Sequence, residues 1–208
     1  MSKQNFGGRL ASGILAGCAG LIVLSGASHA EEKIWTVEPD HSSIAFGSIK
    51  NDAIGESHHF SGISGTVGSD GQVKIDIDLT SVETNIDIRN ERMLEFVFGD
   101  SATATLNAEV DMDDVSALEV GDSTVTDAFG TLSLLGADVD VDAPLFVTRL
   151  SEDRVLVTTD GMAMLNIADA ELTGGIDKLQ EIAELDSITR VSPVTLRLFL
   201  TATDDGES

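Results

Sequence analysis

Ala102-Thr-Ala-Thr-Leu-Asn-Ala-Glu-Val-Asp-Met-Asp113 is the stretch that decides the fold. Its apolar residues are Ala102, Ala104, Leu106, Ala108, Val110 and Met112; between them stand Thr103, Thr105, Asn107, Glu109, Asp111 and Asp113. Successive side chains on a strand point to opposite faces, so this segment offers one face to a core and the other to water. Such half-wetted strands belong to antiparallel sheets.

The same rhythm recurs in both directions. Val139, Val141, Ala143, Leu145 and Val147 alternate with Asp138, Asp140 and Asp142, and Val194, Leu196, Leu198 and Leu200 alternate with Thr195, Arg197 and Thr201. Further strands are expected at Ile34 to Glu38, Ser42 to Ile49, Phe60 to Val67, Val73 to Val82, Val125 to Leu135 and Arg154 to Leu165, separated by turn signals such as Ser69-Asp70-Gly71 and Asp160-Gly161. Helical spacing is confined to Asp87 to Val97, with Thr84 and Asp87 as its expected cap, and to Ile176 to Leu185. Many strands, few helices and no linker predict one all-β domain, a barrel or a sandwich. A single extended antiparallel barrel of about eight strands is the expected architecture, because that number closes into a tube able to hold one elongated ligand.

The first 30 residues read as a secretory signal. Lys3 and Arg9 precede an apolar run from Leu10 to Leu24, and Ser28-His29-Ala30 offers a small-residue cleavage site. The uncharged run of about 15 residues is short for a membrane span, which needs ~20. Leu15-Ala16-Gly17-Cys18 resembles a lipoprotein box, the alternative processing, but the chain stays apolar beyond Cys18. Cleavage after Ala30 leaves residues 31–208 as the domain, with no cysteine, and the loss of Lys3 and Arg9 moves the formal charge from -24 to -26. A domain of this size buries roughly 70% of its unfolded surface and needs no disulfide. With no basic face to neutralise phosphates, nucleic acid is not an expected partner.

Arg89 and Arg92 stand three apart on the first helix, in a chain with 12 basic and 36 acidic residues. They are candidate contacts for an anionic or polar head group at a cavity mouth, with Leu94, Phe96 and Phe98 receiving the tail. The alternative is a solvated helix in which Arg92 pairs with Glu95 and Arg89 with a nearby acid. His41, His58 and His59 do not suggest a metal site, because adjacent histidines on a strand point to opposite faces. The aspartate rows lie about 6.7 Å apart along a strand, too far for a compact calcium cage. No Gly-x-Ser-x-Gly elbow, Walker loop or dinucleotide fingerprint is present, so no enzyme and no cofactor is expected.

Three patterns in order resemble the YceI-like, or polyisoprenoid-binding, family of secreted bacterial proteins. They are Trp35-Thr-Val-Glu-Pro-Asp-His-Ser-Ser-Ile-Ala-Phe46, Ser81-Val-Glu-Thr84 followed by Arg89 to Leu94, and Gly130-Thr-Leu-Ser-Leu-Leu-Gly136. Departures from the family pattern are Asn90-Glu91-Arg92, the proline-free Phe96 to Asp100, and Asn166 to Ala170. The resemblance implies a lipocalin-like barrel in the periplasm, carrying a long-chain amphiphile of polyisoprenoid, isoprenoid quinone or fatty-amide type. Phe46, Phe60, Leu106, Phe129 and Leu132 are then expected to line the tube, transient membrane contact accompanies lipid transfer, and a homodimer is left open. The rival expectation is a ligand-free structural or stress-related module whose barrel is packed shut.

Overall fold

The computed structural model describes residues 33–204. The expected leader and Cys18 lie outside the described residues. The strands are β1 (Lys33–Val37), β2 (Ser43–Lys50), β3 (Ile54–Phe60), β4 (Ile63–Val67), β5 (Gln72–Asp78), β6 (Val82–Glu83), β7 (Thr103–Val110), β8 (Ser123–Leu134), β9 (Ala137–Ser151), β10 (Arg154–Thr159), β11 (Ala163–Asn166) and β12 (Val191–Asp204). The helices are α1 (Asp87–Met93), α2 (Asp113–Ser116) and α3 (Thr173–Ile182), and a π-helical turn, Leu94–Phe98, extends α1.

Eight antiparallel strands close a barrel in the order β1-β4-β5-β7-β8-β9-β10-β12, with β12 returning to β1. The expected fold class is therefore what the chain adopts. Closure depends on the length of β12, which serves two strands on each edge. One edge pairs with β2 through Val194 to Arg197 and then with β1 through Leu200 to Asp204. The other edge pairs with β11 through Val191 to Val194 and with β10 through Arg197 to Thr201. β3 and β6 continue the sheet beyond β2.

The alternation seen in the sequence sets the register. Ala104, Leu106 and Ala108 of β7 face Ile77, Ile75 and Val73 of β5, and Leu132 and Gly130 of β8 on the other side, so the apolar rows meet inside. β4 falls within the strand expected from Phe60 to Val67, whereas β3 is absent from the sequence reading. Its inward positions include Glu56 and His58, and polar residues on the inner face conceal the strand from an apolar-periodicity test. β5 stops earlier than expected because Asp78 begins a tight turn: its Oδ1 accepts from Thr80 N–H at 2.8 Å and from Thr80 Oγ1–H at 2.6 Å.

The ladder between β9 and β10 ends early too, at Leu145 opposite Thr159. Pro144 accepts a hydrogen bond from Asp160 N–H at 2.7 Å but has no N–H to return. Gly161, at φ +120, then turns the chain away and β11 joins β12 alone. Residues 137–144 of β9 therefore pair with β8 only, and an open seam separates them from β11.

One end of the barrel is covered by α1, the π turn and α3. The approach of α3 to the π turn requires Gly175, where a Cβ would lie 2.4 Å from Phe96 O and 2.7 Å from Val97 Cα. Thr84 does not cap α1 as expected. Asn85 takes φ 61, which swings Thr84 aside, and its N–H and Oγ1–H both donate to Asn90 Oδ1, at 2.9 and 2.6 Å. The corner between β1 and β2 is held by Glu38, whose carboxylate receives Arg154 Nε–H and Nη2–H at 2.8 and 2.7 Å and Thr201 Oγ1–H. These hydrogen bonds, Arg154 first and Thr201 next, lower the Glu38 pKa from 4.5 to about 2.

Gly175→Ala is expected to cost about 1–3 kcal/mol by forcing α3 off the π turn, read as a lower denaturation midpoint. A carboxylate with a depressed folded pKa stabilises fully above its unfolded value and loses that contribution as pH falls toward the folded value. Stability should therefore decline between pH 4.5 and about 2 through Glu38, and Glu38→Gln should flatten that part of the stability-pH curve.

Candidate functional site

The inward rows do not meet at the axis. They enclose a cavity of ≈ 610 Å³ whose wall is almost wholly apolar. β7 contributes Ala104, Leu106 and Ala108, β8 contributes Ala128, Gly130, Leu132 and Leu134, and β12 contributes Val194, Leu196 and Leu198. Small residues make the hollow: Gly130 sits so close to β7 that a Cβ would lie 2.5 Å from Ala108 Cβ. On one side stand three aromatic rings in succession, Phe46 to Phe60 at 5.1 Å and Phe60 to Phe98 at 5.8 Å between centroids. Met93, Val97, Leu172 and Ile176 close the wall at the helical end, and Trp35, under the Arg149 guanidinium at 5.4 Å, belongs to the lining as well.

Of the ten residues singled out from sequence, Phe46, Phe60, Phe98, Leu106 and Leu132 line this cavity. Phe129 does not, and is corrected: it is 63% exposed on the outer face of β8. Strand parity gives the reason, since Ala128, Gly130 and Leu132 point inward and the residue between two of them must point out. Leu94 and Phe96 are also outside the lining, where Met93 and Val97 take their place. The segment is helical, so the inner face follows a spacing of four and not of two.

Neither arginine reaches the cavity. Arg89 is committed elsewhere: Nη1–H donates to Glu56 Oε2 at 2.7 Å and Nη2–H to Thr84 O at 2.6 Å, while Lys50 Nζ donates to Glu56 Oε1 at 2.9 Å. Burial pushes the Glu56 carboxyl up, but hydrogen bonds from Arg89 and Lys50 outweigh it and hold the group below its ordinary value. Arg92 makes no ion pair among the described residues, with Glu95 or otherwise. The Arg89 cluster thus joins α1 to β3, as the solvated-helix alternative foresaw in part.

Beside it lies His58, only 4% exposed, with Nε2 3.3 Å from Ser48 Oγ and its ring 5.2 Å from that of Phe46. Burial, reinforced by the Arg89 charge, lowers its pKa and keeps the imidazole neutral at pH 7. His41 instead sits in a tight turn, Pro39–His41, with Nδ1 3.4 Å from Glu38 Oε2. Among the described residues no three His, Cys, Asp or Glu side chains are grouped to hold a metal ion.

The cavity opens through the seam. Its fully exposed lining residues are Asp140, Asp142 and Pro144 on β9, Met162 before β11, and Met164 within it. All five stand on the two sides of the break between those strands.

Arg89→Ala should destabilise the fold by about 2 kcal/mol, because it strips Glu56 of one partner and Thr84 O of its donor. Arg92→Ala should stay within about 0.5 kcal/mol of the parent. Denaturant titration of both variants checks the contrast, and binding in the cavity should be unaltered in either.

Comparison with known proteins agrees with this architecture. The sequence model of the YceI-like domain matches residues 35–189. Among solved structures, a polyisoprenoid binding domain from Saccharophagus degradans, implicated in plant cell wall breakdown, is similar with a TM-score of 0.77 and 34% identity, over 81% of this chain and 98% of that one. BcnA from Burkholderia cenocepacia shares the fold at 15% identity and a TM-score of 0.59, over 78% of this chain and 98% of its own. No curated protein matches. A closed eight-strand barrel around an apolar tube, and a family match across most of that barrel, have one consequence: the chain belongs to the YceI-like domain family.

Proposed function

We propose that this protein is a periplasmic carrier that binds one long-chain amphiphilic lipid in the barrel cavity. The observation that carries the proposal is the cavity itself, ≈ 610 Å³ behind a wall of aliphatic and aromatic side chains. At about 30 Å³ for a water-sized group, that volume takes on the order of twenty methylene-sized groups. Each buried methylene favours binding by ~0.8 kcal/mol before ordering costs, so a long apolar tail supplies affinity without chemistry.

The 34% identical domain from Saccharophagus degradans is a polyisoprenoid binding domain, which supports a ligand of isoprenoid type here. Lys3, Arg9 and the apolar run to Leu24 support export, and transient membrane contact follows from collecting and releasing a lipid. The alternative of a barrel packed shut accords poorly with a hollow interior.

Organic extraction of the protein purified from its source organism, followed by mass spectrometry, should release one amphiphile in near-stoichiometric amount; an empty extract would sink the carrier role. Leu106→Trp, which places an indole in the middle of the tube, should lower lipid retention at least tenfold while the far-ultraviolet dichroism stays that of the parent.

A further inference from the structure

We propose that the seam between β9 and β11 is the portal for the ligand, and that its rim selects a polar end that donates hydrogen bonds, a hydroxyl or an ammonium, over a phosphate. Portal use presupposes the carrier role inferred above and specifies which amphiphile it suits.

Two independent observations converge on the seam, and the chemistry of its lip agrees with them. The lining is buried or half-buried everywhere except at Asp140, Asp142, Pro144, Met162 and Met164, so this is where the apolar interior meets water. The break is built into the chain, because Pro144 cannot donate to β10 and Gly161 turns the strand away. Met162 and Met164 are 68% and 63% exposed, unbranched side chains at the lip of the opening, able to shift aside for a passing tail.

The charge of the rim then sets the head group. No lysine or arginine lines the cavity, whereas Asp140 and Asp142, whose side chains face outward from β9, flank its opening. An ionised carboxylate only accepts hydrogen bonds, so its complement is a donor. A phosphate carries between one and two negative charges near pH 7, and two carboxylates within several ångströms repel it even in water, to the extent of roughly tenfold in affinity.

The test uses the full chain and a matched set of roughly twenty-carbon isoprenoids, the alcohol, the primary amine and the monophosphate, titrated below their micelle concentrations. Trp35, the chain's one tryptophan, lines the cavity and reports occupancy by its fluorescence. The alcohol and amine are expected to bind at least tenfold more tightly than the monophosphate. The paired substitution Asp140→Lys with Asp142→Lys, at exposed outer-face positions, should raise monophosphate affinity at least tenfold and lower that of the amine at least tenfold. Equal binding of alcohol and monophosphate to the parent, or an alcohol that binds while the monophosphate ignores the charge reversal, overturns a selecting rim at the seam and leaves the carrier role standing. Failure of all three isoprenoids to bind removes both.

Discussion

Everything in this barrel hangs on the double pairing of β12. A strand in the middle of a sheet normally joins one neighbour on each edge, but this one is long enough to join two on each. Closure of the tube, between β10 and β1, occupies its C-terminal half; its N-terminal half carries β2 and β11, which add to the cavity wall beside the opening. Because β10 and β11 both follow β12, and β9 follows only β10, the wall must part where the chain leaves β10. The cavity's access is therefore a consequence of the hydrogen-bond topology and not of a loop that happens to lie open.

A hollow interior changes where stability resides. Side chains that line a cavity lack protein partners on one side and forfeit part of the dispersion energy of a packed core. Compensation comes from the ends. At one end, Met93, Val97, Phe98, Ile167 and Leu172 are buried together under α3. At the β1–β2 corner, the bidentate contact of Arg154 with Glu38 is stacked against Phe199, with the guanidinium 4.7 Å from the ring. The division suits a binding protein: rigid ends hold the frame, and the middle is left for a guest.

Most of the barrel was legible in the alternation of small and polar residues, since Ala104, Leu106 and Ala108 can face only one way once β7 is a strand. What escaped had physical causes. β3 was hidden because Glu56 and His58 occupy inward positions, where Glu56 meets Arg89 and His58 meets Ser48, partners on other elements that cannot be seen locally. Phe129 is aromatic but strand parity turns it outward, and the inner face of the helical segment runs through Met93 and Val97, which leaves Leu94 and Phe96 outside the lining. The arginine pair was conspicuous for its rarity, yet a rare charge in an acidic chain finds a carboxylate close by, as Arg89 finds Glu56. The seam was present as Pro144 and Asp160-Gly161, two ordinary turn and edge signals whose joint effect exists only once β9 and β10 are paired.

An open seam is also a hazard, because residues 137–144 of β9 present unpaired backbone groups that another chain could extend into a continuous sheet. The outward positions of that stretch are Asp138, Asp140 and Asp142, one negative charge at every second residue, and Pro144 withholds a donor at its end. Two such edges brought together would align like charges along their length. The aspartate row therefore doubles as a safeguard against self-assembly through the one stretch of β9 whose second edge is left unpaired.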